Sequence, residues 1–488
     1  MVAARIPPSI ASERGAPSRG LIGNLVLSLT RIAIFVLLAL RLVQIWINPV
    51  DDFDTSSFIL AVQGGFYPDF GIFFDLAHPG LLSVWLWLGH LLKLASNSPP
   101  IQLWAAFIGA ALVLACLMLY GCLRSARCSV QVSALGVLLY LASPAIADVA
   151  ARSEENVLFH GLFFIAILAV LRALRATNGL ALALVCASAL LLAAQHLQPF
   201  LILSAGLMLF CVVGRFAPDA DCAAGRARAF SVLLAFLVPG LFYYAAAHAT
   251  HINPSVVSSY SDHVYSLFQN DSLARYLRAF LMFAQGYVAS GDLTVTQWTT
   301  RAVEPASLIY LAGLIVLAAA IWLSLRRGLV DLMVLPALGF VFLYEPSASE
   351  RWDTFAIAVV VSLMFRLRDW MDRSNRPAFI GVLACCLLLL AFNLLAVRGQ
   401  VDGLRRASAV QQAFGTQMGG SDVVRTDLDS GRVVVSRVPR DTRFLVPGAE
   451  PLRAGDVVYL SSGIAAVEQR FGIRCAATDI AGLCRALP

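Results

Sequence analysis

Apolar runs near the length of a membrane span recur along this chain, at roughly 25–47, 79–95, 100–123, 130–147, 155–171, 179–195, 199–214, 229–250, 306–325, 328–346, 353–367 and 377–397, where a spanning helix needs about 20 residues. Hydrocarbon offers no water to unpaired amides, and runs that are apolar throughout rather than alternating satisfy them as helices. The composition agrees: 59% of the 488 residues are hydrophobic and 14% charged, with a mean hydropathy of +0.77. A soluble globule carries about a quarter charged residues. The fold class is therefore a polytopic α-helical membrane protein. The net charge of +6 comes from arginines clustered between apolar runs, which is the positive-inside pattern rather than a nucleic-acid surface. No nucleic-acid partner is implied.

The loop charges decide how many runs cross. If 79–95 spans the membrane, the clusters Arg124 with Arg127, Arg172 with Arg175, and Arg215 with Arg226 and Arg228 all face outward. If it lies along the interface instead, those clusters and Arg326, Arg327, Arg366, Arg368, Arg373 and Arg376 all face the cytoplasm. The charge rule thus favours about 11 transmembrane helices, with interfacial helices in the first outer loop. Trp85, Trp87, His90 and Lys93 suit a helix at headgroup level, and Pro79 suits its first turn. Residues 1–24 read as a cytoplasmic basic tail carrying Arg5, Arg14 and Arg19, residues 25–397 as the transmembrane domain with outer loops 48–99 and 251–305, and 398–488 as an extracytoplasmic domain. A cleaved signal peptide is the rival for the N-terminus, but the run 25–47 exceeds an h-region of about 7–15 residues and no small-residue cleavage site follows. Lys93 is the single lysine among 36 basic residues and alanine is abundant, a composition of GC-rich bacteria that points to an inner membrane.

The predicted outer face is acidic and elaborate. It collects Asp51, Asp52, Asp54, Asp69, Asp75, Asp148, Glu154, Glu155, the loop 251–305, the stretch 344–352 and the tail. Charged groups set just beyond a spanning helix mark functional sites, and long polar loops carry binding and catalysis. The tail has short apolar runs, Arg432 to Arg437 and Asp456 to Leu460, separated by Gly and Pro, and reads as a small α+β domain. Cys475 and Cys484 fall on the oxidising side, so a disulfide between them is plausible. The remaining cysteines lie in or beside apolar runs without ligand spacing and read as packing residues.

The order of these features carries a likeness: a basic tail, a spanning helix, Asp51-Asp52, Gly64-Gly65 with Tyr67-Pro68-Asp69, His78-Pro79 leading a Trp-rich helix, Ser143-Pro144 leading to Arg152-Ser153-Glu154-Glu155, and Glu350-Arg351-Trp352 before a late span. It resembles the GT-C-type integral-membrane glycosyltransferases that use polyprenyl-phosphate-linked sugars, among them protein O-mannosyltransferases and lipid A aminoarabinose transferases. The likeness covers the first 400 residues or so and not the tail. The family commonly has an Asp-Glu pair where this chain has Asp51-Asp52, and a second proline at Gly80. The resemblance implies a single inverting displacement with no covalent sugar-enzyme intermediate.

The chemistry fits the residues. Transfer from a lipid phosphate needs a base for the acceptor hydroxyl or amine and cations for the departing phosphate. Asp51 or Asp52 is the candidate base, with Asp54 an alternative that the extra carboxylate leaves open. Arg351 and Arg152 lead as phosphate ligands, with Arg275, Arg278 and Arg301 behind them. Asp69, His78, Glu154, Glu155 and Glu350 would position the acceptor or shape the site. No His or Cys sits at ligand spacing around His78, so no metal centre is assigned. The oxygens of the three aspartates suit Mg²⁺ or Mn²⁺, the one divalent cation option. The implied partners are a polyprenyl-phosphate sugar, an acceptor glycan, lipid or protein, and membrane lipid.

The competing class is a lipid or saccharide transporter or flippase of envelope biogenesis, and a scaffold of envelope assembly is a third. Transporters place ionisable groups near the bilayer midplane. Here, apart from Arg31 and Arg41, the predicted span centres are nearly free of charge and the acids sit at outer ends. A reporter fused after residue 176 is expected to be cytoplasmic and one after residue 487 outside. A cytoplasmic reporter at 487 overturns the eleven-span topology.

Overall fold

The computed structural model describes residues 17–47, 53–63, 80–151, 153–214, 222–250, 318–344, 352–372, 405–406, 408–446 and 451–487. Within them the apolar runs fold as helices: α1 (Pro17–Ile47), α2 (Phe53–Val62), α3 (Leu81–Ser96), α4 (Pro100–Ser125), α5 (Val130–Ala142), α6 (Pro144–Ala151), α7 (Val157–Arg175), α8 (Gly179–Gln195), α9 (Leu197–Val213), α10 (Cys222–Thr250), α11 (Leu329–Tyr344) and α12 (Asp353–Asp372). Leu27–Trp46, Pro100–Ser125, Val157–Arg175 and Gly225–Ala247 are long and apolar enough to cross a membrane, and Val130–Ala142, Gly179–Gln195, Leu197–Val213 and Leu329–Val341 are shorter apolar helices. Phe35 and Phe242 stand 74% and 76% exposed. Apolar surface presented on this scale is covered by lipid. The chain is an integral membrane protein of mostly helical structure with a small C-terminal sheet.

The run expected as one span over 130–147 divides at Ser143, whose ψ of 128° ends α5. Pro144 is the cause, since a proline disfavours helical backbone in the residue before it and opens the next helix as its first residue. The run 377–397 and most of 306–325 lie outside the described residues. α3, expected at headgroup level, docks on protein along one face: the Trp85 indole N–H donates to Gln195 Oε1 (3.2 Å), His90 Nδ1 lies 3.1 Å from the Val62 carbonyl, and Lys93 Nζ donates to the Gln63 carbonyl (3.4 Å). Trp87 stays exposed. Pro79 is outside the described residues, and Gly80 caps the helix at a φ of 128° that favours glycine.

The helices pack in sequence neighbours and across the bundle: α4 against α7, α7 against α8, α8 against α10, α9 against α11, α11 against α12, and α12 and α1 against α5. Contacts between helices are close. A Cβ on Gly206 would stand 2.4 Å from Met333 Cγ, so α9 and α11 need glycine there. Phe200 and Phe236 stack at 5.4 Å between α9 and α10.

One end of the bundle is lined by five of the arginines that the charge rule set on a single side, Arg175, Arg228, Arg326, Arg366 and Arg368, while Arg215, Arg373 and Arg376 lie outside the described residues. Arg175 Nη1 donates to the Ser125 carbonyl (3.4 Å) and Arg368 Nη1 to the Ala126 carbonyl (2.7 Å), both at the end of α4. Arg228 reaches the Leu174 and Arg175 carbonyls at 3.3 Å, at the end of α7. Arg366 donates to the Trp322 carbonyl (2.9 Å) and lies over its ring at 3.7 Å. Arg326 pairs with Asp369, which Arg368 also contacts at 2.7 Å. These guanidinium groups satisfy the orphan carbonyls of helix C-termini and meet the negative end of each macrodipole.

The C-terminal residues form a five-stranded sheet of β1 (Val423–Thr426), β2 (Arg443–Leu445), β3 (Val457–Tyr459), β4 (Cys475–Ala477) and β5 (Leu483–Ala486) in the order β2-β1-β3-β5-β4, with α13 (Leu428–Val434) between β1 and β2 and α14 (Ile464–Phe471) between β3 and β4. β1 runs parallel to β2 and β3, while β5 runs antiparallel to β3 and β4. Parallel neighbours need a crossover, which α13 supplies, capped by Asp427 accepting from the Ser430 amide at 2.8 Å. This domain docks on α2: Arg432 Nε donates to Ser57 Oγ (2.8 Å), and a Cβ on Gly431 would stand 3.0 Å from Leu60. Arg443 Nη1 donates to Asn97 Oδ1 (3.3 Å) at the end of α3.

Cys475 and Cys484 are joined by a disulfide that ties β4 to β5 over a separation of 9 residues. A loop of that size predicts that replacing both cysteines by serine lowers the domain's unfolding free energy by about 2–3 kcal/mol. Thermal or urea unfolding of the full chain followed in the tail, with and without reductant, measures it. An unchanged midpoint contradicts a stabilising role for the bond.

Candidate functional site

The end of the bundle opposite the arginines gathers buried polar groups. The turn joining α6 to α7 holds Ser153 at a φ of 57°, a left-handed conformation uncommon for serine. It is fastened from two sides: Ser153 Oγ donates to the Ile45 carbonyl at the end of α1 (3.3 Å), and the Trp104 indole of α4 donates to the Ser153 carbonyl (2.9 Å). Glu154 and Glu155 follow at once, both buried, and Asn156 is buried beside them. They precede the first turn of α7, where the helix dipole favours negative charge.

A chain of hydrogen bonds lies one turn deeper. His160 Nε2 faces Asp353 Oδ2 at 3.0 Å and its Nδ1 faces the Tyr140 hydroxyl at 2.7 Å, with all three side chains buried. A tautomer with the proton on Nε2 satisfies both contacts, donating to the carboxylate and accepting from the tyrosine hydroxyl through Nδ1. The other carboxylate oxygen of Asp353 accepts from the Thr354 amide and from Thr354 Oγ1 (2.8 Å). This chain joins α5, α7 and α12, and Asp353 stands at the N-terminal end of α12.

The link between α8 and α9 is a single residue. His196 is extended, and its Nδ1 accepts from the Gln198 amide at 3.2 Å, which caps α9. Its ring lies 4.9 Å from Phe159 of α7. Gln195, held by Trp85, and Gln198 are buried on either side. Near the C-terminal end of α1, Arg41 is buried and donates to Gln44 Oε1 at 2.8 Å. α2 lies against this end through Phe58, whose ring centroid is 5.8 Å from Trp104. On α3, burial first and the Arg443 guanidinium second hold the Lys93 ammonium below its usual value.

Of the residues expected from the sequence, Glu154 and Glu155 lie in this buried cluster. Asp54 is the second residue of α2, described in its backbone only. Asp51, Asp52, Asp69, His78, Arg152, Arg275, Arg278, Arg301, Glu350 and Arg351 lie outside the described residues. Among the described residues no three His, Cys, Asp or Glu side chains gather as a metal site. Sequence reasoning missed Tyr140, His160, Asp353 and Gln195. A signal existed for two of them: His160 is a lone ionisable residue near the start of an apolar helix, and Asp353 directly follows the Glu350-Arg351-Trp352 stretch.

No protein-family model matches the chain, and no curated protein matches it. Among solved structures it is similar to ArnT from Cupriavidus metallidurans bound to undecaprenyl phosphate, with a TM-score of 0.48 and 12% identity over 96% of this chain and 98% of that one. It is also similar to the Archaeoglobus fulgidus oligosaccharyltransferase in the apo form, with a TM-score of 0.42 and 12% identity over 88% of this chain and 65% of that one. At this level of likeness residue roles do not transfer.

The buried chain makes a measurable demand. Asp353→Ala and His160→Ala should each lower stability by about 2–4 kcal/mol, since each strands a buried polar partner. The double variant should cost less than their sum, because the second change removes the group that the first left unpaired. Thermal unfolding of the purified variants in one detergent reads this coupling, and strict additivity would show the two residues to be independent.

Proposed function

We propose that this protein is a membrane glycosyltransferase of GT-C type that moves a sugar from a polyprenyl-phosphate donor to an acceptor on the outer face of the membrane. The observation that carries the reading is the convergence, at one end of the bundle, of elements that the sequence motif strings over 300 residues: the outer end of α1, the helix α2 that follows the acidic loop, the Ser153-Glu154-Glu155 turn and the Trp352-Asp353 start of α12. All lie away from the arginine-capped end. A transporter would instead concentrate its ionisable groups at mid-span.

In this reading a carboxylate of the first outer loop, Asp51, Asp52 or Asp54, takes the proton of the acceptor hydroxyl or amine as that atom attacks the anomeric carbon. The bond from that carbon to the phosphate oxygen breaks in the same inverting displacement, and the lipid phosphate departs with the electron pair. Arg351 and Arg152, with Arg275, Arg278 and Arg301 in support, neutralise the departing phosphate, for which the guanidinium fork is well shaped. Glu154, Glu155 and Glu350 orient the acceptor. The membrane is the inner membrane of a bacterium, with the N-terminus in the cytoplasm and the sheet domain outside, covering α2.

Separate replacement of Asp51, Asp52 and Asp54 by asparagine tests the assignment in a transfer assay with a polyprenyl-phosphate sugar. The variant of the true base should lose at least about 100-fold in kcat, the usual contribution of general-base catalysis, while still binding donor. Full activity in all three variants removes the loop from catalysis. A wild type that moves the lipid across vesicles without transferring sugar overturns the enzyme reading.

A further inference from the structure

We propose that Asn156, Gln195 and Ser143 form the subsite that holds the sugar ring of the glycosylated lipid, an inference that rests on the donor class proposed above. The three residues share a level. Tyr140 meets His160 at 2.7 Å. Ser143 lies three residues outward of Tyr140 on α5, and Asn156 lies four residues outward of His160 on α7, so each stands about 5 Å beyond that contact at 1.5 Å per residue. Gln195 ends α8, which packs on α7, and the 4.9 Å contact of its neighbour His196 with Phe159 sets it beside the first turn of α7.

Each of the three carries a buried polar atom without a hydrogen-bond partner among the described residues: Ser143 Oγ, Asn156 Oδ1 and Gln195 Nε2, on residues that are 4%, 2% and 0% exposed. Native proteins pair nearly all such atoms, so a layer of three marks an absent partner. Structural duties do not account for them. Asn156 occupies the cap position of α7, yet its side chain makes no capping bond and its backbone is already helical, at φ −55° and ψ −32°. An asparagine that capped would be extended, with its oxygen on a backbone amide. Gln195 is oriented by Trp85, whose indole N–H only donates and therefore claims the amide oxygen. That choice turns the Nε2 donor away from α3, unpaired.

The layer thus presents a fixed acceptor, a fixed donor and a rotatable hydroxyl, all uncharged. Vicinal sugar hydroxyls both donate and accept, and they match this set without the desolvation of a charge. The buried chain of Tyr140, His160 and Asp353 closes the layer from below, and the Trp85 indole borders it on one side. Recognition by uncharged amides grades sugars by where their hydroxyls point rather than by ionic attraction.

The test uses the full-length protein in lipid nanodiscs and four probes: undecaprenyl phosphate bare, and undecaprenyl phosphate carrying glucose, mannose or galactose. At least one glycosylated lipid should bind about tenfold more tightly than the bare one. Asn156→Ala and Gln195→Ala should each remove about three- to tenfold of that preference, the range for one hydrogen bond, and leave bare-lipid affinity unchanged. Trp85→Phe, which frees the Gln195 amide to turn, should alter the ranking among the three sugars, and it decides the question if the amide variants fail to fold. Equal binding of all four probes overturns the subsite while sparing the proposed function, as does a preference that survives both amide substitutions, the result expected of a layer filled by water. Equal loss of bare and glycosylated lipid makes the residues structural. If the wild type binds none of the probes, the donor class falls together with the subsite.

Discussion

A polar group inside hydrocarbon has no water to turn to, and the two ends of the helical bundle are organised around that constraint. Helices pair their own amides but leave carbonyls exposed at one end and N–H groups at the other. At the arginine-lined end, side chains from neighbouring helices close the carbonyls of α4 and α7. The clusters that orient a chain in a membrane therefore also finish its helices. At the opposite end acids stand at helix starts, Glu154 and Glu155 ahead of α7 and Asp353 opening α12. The described charges differ from end to end, and the acidic end is the one where buried polar groups gather.

That end is built as two layers. The inner one, Tyr140 to His160 to Asp353, is closed on itself: each donor meets an acceptor, and three helices separated in sequence are tied at a level where slippage would strand a charge. The other keeps atoms on Ser143, Asn156 and Gln195 that have no partner among the described residues. A rigid satisfied layer beneath an unsatisfied one is the arrangement that gives a binding surface a fixed geometry before its ligand arrives.

Much of the helical scaffold was legible in the sequence, because bilayer-length apolar runs admit one solution. The division at Ser143 was also open to reading, through Pro144, but the length of the run masked it. The gathering of Arg175, Arg228, Arg326, Arg366 and Arg368 at one end agrees with loop charge. The inner layer was hidden for a physical reason: its bonds join residues 20 and 193 positions apart, and no local period encodes a contact of that range. The same holds for Trp85 and Gln195, 110 positions apart. The docking of α3 on protein was not legible, because its tryptophans and His90 satisfy an amphipathic pattern equally well against headgroups or against α2 and α8. Glu154 and Glu155 were singled out from the motif around them, whereas their burial was not legible, since it depends on the packing of α1, α4 and α7 around the turn.

The contact between α13 and α2 sets a timetable. α2 leaves the ribosome early, directly after the first membrane helix, whereas its partner Arg432 is made 375 residues later. Throughout synthesis and insertion of the intervening bundle, Ser57 and Leu60 must wait without their final neighbours. Long-range closure of this kind is slow and leaves surface open while it is pending. The face of α2 that α13 covers is thus among the first parts of the protein to be made and among the last to be completed.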